Sequence, residues 1–263
     1  MTSEQPNPGA GVAQRQRGVD QTPPSLTPKT DGVGRLVATS QNDAKAPHAN
    51  QEGLPAPEAG VVGVVLAAGR SHRMGRPKAL LPCRGEALVH RVARQADAAG
   101  LAEVWVVVGA WQRAVRAALA DLPVRVVVNP WWSQGQSASV RVAGQALRAA
   151  RAQAALFFLT DQPFVPAALV QGLCAAWRDS QAAIVAPRIA GAPGTPVLLS
   201  ARVFPHLANL QGDQGARALF PHFPPFWLPW PDPRAAITLE TWDDYRRVCP
   251  QDARRSAATW SAG

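Results

Sequence analysis

This chain has little with which to staple, anchor or coordinate anything. Its three cysteines, Cys83, Cys174 and Cys249, are few, odd in number and widely spaced. They match neither a disulfide framework nor a metal-site pattern, and each reads as a small buried hydrophobe. Such sparse cysteine suits a reducing cytoplasm. No apolar run approaches the roughly 18 residues of a membrane span. The N-terminus lacks the apolar core of a secretory signal. No run of five or more Lys/Arg occurs, and no interleaving of basic and aromatic side chains such as RNA-binding modules use. Ser-His-Asp arrangements, zinc-ligand spacings and internal repeats are also missing. These absences argue against a disulfide scaffold, a membrane protein, a triad hydrolase and a nucleic-acid module.

What is present is positive charge, +9 in all. Residues 1–60 hold five basic and six acidic side chains, and the rest hold 22 and 12, so the excess belongs to the later part. A basic field favours anionic ligands such as nucleotides and phosphorylated cofactors. Much of it is scattered arginine, including Arg113, Arg116, Arg148 and Arg151, which reads as solvated helix faces. Residues 1–59 are rich in Pro, Gly, Gln, Ser, Asn and Thr. They read as a disordered extension, because they bury too little apolar surface to offset ordering entropy. Residues 60–249 read as one domain and 250–263 as a flexible tail.

From residue 61 the pattern alternates. Strands are expected at 61–67, 103–109, 124–128, 154–159 and 183–186. Helices are expected at 86–100, 111–120, 137–150 and 166–179. Alternation at this spacing predicts an α/β fold, a mostly parallel sheet with helices on both faces. After residue 187 the rhythm changes. A loop at 191–196, a short strand at 197–199 and two short helices around 209–213 are expected. A Pro-rich irregular or edge stretch at 221–233, a last strand at 237–240 and a helix at 241–248 follow.

The first strand empties into Leu66-Ala67-Ala68-Gly69-Arg70-Ser71-His72-Arg73-Met74-Gly75-Arg76-Pro77-Lys78. Glycine permits close backbone approach to a ligand. Arg73 and Lys78 add fixed positive charge, so the loop describes a cradle for polyphosphate. It is not a P-loop, since Lys78 neither follows a glycine nor precedes Ser or Thr. In an open parallel sheet, ligands bind beyond the carboxyl ends of strands. Two other strand ends deliver polar loops to that edge: Asn129 to Ser137, and Thr160-Asp161-Gln162-Pro163. Asp161 suits magnesium held with triphosphate oxygens, with a helix cap as the alternative role. Trp131 and Trp132 flank the cleft, as cover for a core edge or as a stacking surface.

These motifs resemble those of the molybdenum cofactor cytidylyltransferases, a branch of the MobA-like nucleotidyltransferases. The resemblance is carried by Leu66 to Lys78; by Asn129-Pro130 with Gly135 and Ser139; and by Asp161-Gln162-Pro163. It extends to Gly194-Thr195-Pro196-Val197 and Gly212-Asp213-Gln214-Gly215-Ala216-Arg217. It implies a Rossmann-like nucleotidyltransferase fold, magnesium dependence, and transfer of CMP from CTP to the phosphate of a molybdopterin-type cofactor. Arg73, Lys78 and Asp161 take the catalytic positions. Leu66, Ala67, Ala68, Gly69, Gly75, Asn129, Gly135, Ser139 and Asp213 take the substrate-binding ones. Guanylate-transferring relatives tend to carry a second glycine where this chain has Ala68, so the alanine resembles the cytidylate branch. The family's Asp-Ile-Asp-Thr-Pro-Glu-Asp segment is Thr238-Leu239-Glu240-Thr241-Trp242-Asp243-Asp244 here, which leaves Glu240 as the second candidate metal ligand. A molybdenum hydroxylase or its insertion chaperone is the implied downstream partner. The alternatives are GTP as donor, a sugar phosphate as acceptor, or a non-catalytic cofactor carrier.

Overall fold

The computed structural model describes residues 58–71 and 74–254; the extension read at 1–59 lies almost wholly outside them. Ten strands are named in chain order: β1 (Glu58–Ala67), β2 (Pro82–Cys83), β3 (Glu86–Ala87), β4 (Leu101–Val108) and β5 (Val124–Val128), then β6 (Ala154–Leu159), β7 (Ile184–Ile189), β8 (Ala192–Pro193), β9 (Val197–Ser200) and β10 (Phe226–Trp230). The α-helices are α1 (Leu88–Ala98), α2 (Gln112–Ala117), α3 (Gln136–Ala149), α4 (Ala167–Ser180) and α5 (Trp242–Val248). The main sheet runs β10-β7-β9-β6-β1-β4-β5, with β8 added beside β7. Neighbours β6, β1, β4 and β5 are parallel, as are β10 and β7. β9 lies antiparallel between β6 and β7.

Strand β1 shows why the sheet is central. Alternate side chains point to opposite faces, and both faces of Val61 to Val65 are buried. Val61, Val65 and Ala67 pack with Val92 and Ala96 of α1 and Leu169 and Leu173 of α4. Val62, Val64 and Ala68 pack with Val140, Ala143 and Leu147 of α3, and with Val203 and Leu207 of a 3-10 helix, Ala201–Asn209. A helix layer therefore covers each face, as the apolar strands require. α3 forms because residues 136–149 are mostly good helix formers and set Val140, Ala143 and Leu147 on one stripe.

Four expectations are corrected. Residues 82–87 form the β2–β3 hairpin, and α1 starts at Leu88 rather than 86. The hairpin turns at Arg84 and Gly85, with φ of 55° and 83°, and glycine makes the second of these easy. Residues 237–240 form no strand; Leu239 N–H instead donates to Asp161 O at 2.8 Å. Of the tail expected to fray at 250–263, residues 250–254 form a helical turn, where the Asp252 carboxylate accepts from Arg84 N and Gly85 N at 2.7 and 3.3 Å; 255–263 lie outside the described residues. Finally, Cys83 and Cys249 form a disulfide although 166 residues separate them. The hairpin and α5 bring their Cα atoms to 5.4 Å, a proximity that chain spacing cannot reveal. The bond removes the support that cysteine usage lent to a reducing cytoplasm. Among the described residues no helix is long and apolar enough to cross a membrane.

Candidate active site

The chain leaves β1 at Ala67 and turns through Ala68, Gly69, Arg70 and Ser71. Ser71 has φ 62°, a left-handed conformation uncommon outside glycine. The turn is closed twice: Met74 N–H donates to Ser71 O at 3.1 Å, and Lys78 N–H to Ser71 Oγ at 3.0 Å. His72 and Arg73 lie outside the described residues. Gly75 has φ 63° and no atom near its missing side chain; it is exposed on the loop. A 3-10 turn, Lys78–Leu80, follows and aims the lysine inward.

Lys78 Nζ donates to Asp161 Oδ2 at 2.7 Å, and each side chain is 20% exposed. Asp161 stands just beyond β6, whose parallel pairing with β1 puts Leu66 opposite Leu159. The two strand ends therefore deliver lysine and aspartate to one point. The other oxygen, Asp161 Oδ1, is buried with no hydrogen-bond partner. Leaving a carboxylate oxygen buried and unpaired costs about 1–3 kcal/mol or more, so this oxygen has capacity for a cation. Among the described residues, no group of three or more His, Cys, Asp or Glu gathers as a metal cage. That fits magnesium, which is bound by one or two carboxylates with phosphate oxygens and water completing its shell.

The third strand tip adds structure rather than charge. Asn129 is fully buried. Its Nδ2 donates to Ser139 Oγ at 3.0 Å, and its Oδ1 accepts from Trp131 N–H at 2.9 Å. It orients the loop and Ser139 instead of facing the cavity. Gly135 has φ 97°, and a Cβ there would stand 2.4 Å from Gly212 O. Only glycine lets this loop meet the 212–213 segment, where Ser137 N–H donates to Gly212 O at 3.0 Å. Arg141 ties the same junction, donating to Ser137 Oγ and Leu210 O at 3.0 and 2.7 Å.

The result is a cleft of two adjoining cavities. One, of about 360 Å³, is lined by Leu66, Ala67, Ala68, Gly69, Lys78, Gly135, Ser139, Asp161 and Asp213, among others. Trp132 closes part of its wall, whereas Trp131 is 52% exposed. The other, of about 500 Å³, shares Leu66, Gln136, Leu159 and Asp161, and adds Thr195, Arg217, Thr238 and Glu240. Glu240 thus borders the second cavity together with Asp161. Gln162 braces the wall of the second cavity: its Nε2 donates to Thr238 Oγ1 at 3.1 Å, and its Oε1 accepts from Thr195 Oγ1. Arg217 donates to Pro193 O at 3.1 Å, and partial burial lowers its pKa below the usual arginine value. In the sequence Arg217 is only the last residue of the Gly212–Arg217 motif. Its position at the cavity follows from the Gly135–Gly212 contact, which no local pattern announces.

The MobA-like NTP transferase domain matches residues 63–225. Nicotine blue oxidoreductase of Paenarthrobacter nicotinovorans is 38% identical over 175 residues, which are 64% of this chain and 84% of that protein. A probable molybdenum cofactor guanylyltransferase of Opitutus terrae is 38% identical over 126 residues, 48% of this chain and 59% of that protein. A solved structure of Rv0371C from Mycobacterium tuberculosis H37Rv, in complex with manganese, aligns with a TM-score of 0.60 at 32% identity, covering 73% of this chain and 98% of that one.

Proposed function

The chain belongs to the MobA-like NTP transferase family, and from that premise we propose that it transfers CMP from CTP to the phosphate of a molybdopterin-type cofactor, releasing pyrophosphate. One observation carries the reading: Lys78 Nζ lies 2.7 Å from Asp161 Oδ2 at the mouth of a small-residue loop, while Oδ1 of the same carboxylate is buried without a partner.

Phosphoryl chemistry asks a protein chiefly for positioning and charge neutralisation. Amides of the Ala68–Ser71 turn would hold the β- and γ-phosphates of the nucleotide. Lys78 would neutralise the charge that grows on the departing pyrophosphate. Arg73 has the same role by its place in the motif. Asp161, with Glu240 as the second carboxylate, would hold magnesium, which supplies Lewis-acid polarisation of phosphate oxygens. An oxygen of the acceptor phosphate attacks the α-phosphorus, and the bond to the bridging oxygen breaks. That acceptor is already an anion, so no general base is required. Arg217 gives the second cavity charged donors for a polar, phosphorylated acceptor, with the Thr195 and Thr238 hydroxyls lining the wall beside it. The product would pass to a molybdenum hydroxylase or its insertion chaperone.

Ala68 supports cytidine over guanosine. It is 3% exposed, its carbonyl accepts from Ala110 N–H at 3.1 Å, and its methyl lies against Gly109. A methyl here narrows the wall on which a base would rest. The guanylyltransferase name of the Opitutus terrae relative favours GTP as the second reading. The test is pyrophosphate release with purified molybdopterin-type cofactor, comparing CTP and GTP, with sugar 1-phosphates as rival acceptors. Cofactor-dependent release with CTP is expected. A GTP preference would replace the base assignment, and a carrier would release no pyrophosphate.

A further inference from the structure

The turn that carries Asp161 is held from outside by Arg91, a residue of α1 with no place in the cleft. Arg91 Nε donates to Pro163 O at 2.9 Å, and its Nη1 to Glu86 Oε1 at 2.8 Å. Its guanidinium lies 5.4 Å from the centre of the Phe164 ring, and the side chain is 11% exposed. Glu86 is itself pinned. Arg94 donates to both its oxygens at 2.7 and 3.1 Å, and His90 Nδ1 lies 3.0 Å from Oε2. The Arg94 hydrogen bond, then those of His90 and Arg91, hold the Glu86 carboxyl at about 2 despite its burial. It is therefore charged across the working range and grips Arg91 at every such pH.

We infer that Arg91 is a positioning residue that fixes the Asp161 turn for metal binding; this rests on the reading proposed above. The turn is closed internally by Gln162 N–H donating to Leu159 O and has two outward carbonyl anchors: Asp161 O accepts from Leu239 N–H, and Pro163 O from Arg91. Proline contributes no N–H of its own, so this end of the turn depends on its carbonyl. A guanidinium meets Pro163 O and Glu86 simultaneously from one planar fork, which a lysine cannot do. Groups that orient a metal ligand typically change metal affinity or activity about 10- to 100-fold when removed.

The experiment measures Mn²⁺ binding by electron paramagnetic resonance in the presence of CTP, alongside kcat, KM and melting temperature. Arg91→Met is expected to weaken Mn²⁺ binding and lower kcat about tenfold, with KM for CTP within about twofold. Arg94→Ala is the control, since it removes a Glu86 partner but touches no carbonyl of the turn; its Mn²⁺ affinity should match the wild type. Should Arg91→Met fail to fold, Arg91→Lys carries the test with the same loss of affinity expected. Wild-type Mn²⁺ affinity in a folded Arg91 variant, or equal losses in the Arg91 and Arg94 variants, would overturn the inference while leaving the proposed function standing. Absence of Mn²⁺ binding by the wild type would instead defeat the proposed function, and this inference with it.

Discussion

The two cavities of the cleft meet at Asp161 but are made of different material. The smaller is lined largely by backbone and small side chains, including Ala67, Ala68, Gly69, Gly135 and Ser139. The larger is lined by functional groups: Gln162, Thr195, Arg217, Thr238 and Glu240. The smaller stands on strand tips locked by a parallel ladder. The larger stands on β8, β9, 3-10 turns and an extended segment. A triphosphate has one shape in every nucleotide, so amides and small residues suffice to cradle it. An acceptor has to be read by side chains that present donors and acceptors in a particular arrangement. Chemistry should therefore concentrate at the shared residues, and selectivity should divide between the cavities.

The first way to break that division is to remove what both cavities share. Asp161→Ala should lower kcat by roughly 10³ or more, whatever the acceptor, because it deletes the carboxylate that faces both sides. Normal pyrophosphate release by folded Asp161→Ala protein would end the metal assignment. Lys78→Ala acts from the smaller cavity alone and should cost roughly 10²–10³ in kcat. Arg217→Ala acts from the larger one. It should raise KM for the cofactor about 10- to 50-fold, as loss of a charge-assisted hydrogen bond does, and leave KM for the nucleotide unchanged. Steady-state kinetics with each substrate varied in turn separates these. An Arg217 variant impaired toward the nucleotide instead would erase the division.

The same contrast explains what the sequence made legible. β5 at 124–128 and β6 at 154–159 fall where the apolar runs put them, because each is short, mostly apolar and bounded by polar turns, although β6 is buried and β5 is a partly exposed edge strand. The smaller cavity was readable for the same reason: its parts sit at strand ends, and strand ends share one edge in a parallel sheet. The larger cavity depends on contacts between distant segments. Leu239 meets Asp161 through a single backbone bond, so residues 237–240 look like a strand in pattern but have no strand to join. Cys83 and Cys249 are paired by the β2–β3 hairpin, whose two-residue strands carry no periodicity to detect. Asn129 is expected among the substrate-binding residues, yet its amide is spent inside the protein as a buried brace for Ser139 and Trp131, a role that depends on side-chain direction.

Base choice is a finer test of the smaller cavity. Ala68→Gly removes one methyl from the wall beside Gly109 and Trp132. One methylene-sized change in a pocket is worth roughly 1–3 kcal/mol of discrimination at most. The expected outcome is a shift of about 5- to 20-fold in the ratio of kcat/KM for CTP over GTP, with cofactor KM unmoved. An unchanged ratio would mean that base selection lies elsewhere, in Trp132 or in the donors around Ser139.

The smallest effect comes from outside both cavities, where α1 is tied to the loop before β5. His90 Nε2 lies 3.0 Å from Asp121 Oδ2, and Nδ1 lies 3.0 Å from Glu86 Oε2. Burial alone would lower the imidazole pKa, but the hydrogen bonds to Asp121 and then Glu86 outweigh it and raise the value above 6.5. A raised folded value means that the stabilisation is full below the unfolded pKa and is lost as pH climbs through the folded one. Glu86, held at about 2, stays charged throughout that window, so His90 is the group that titrates. His90→Gln should therefore melt about 2 °C below the wild type at acidic pH, and the gap should close by alkaline pH. Calorimetry across that range checks it, and a gap that persists or widens as pH rises would contradict the sign. Because His90 touches neither cavity, kcat and both KM values should stay level in the same variant, which separates this tie from the contact made by Arg91, the next residue on the same helix.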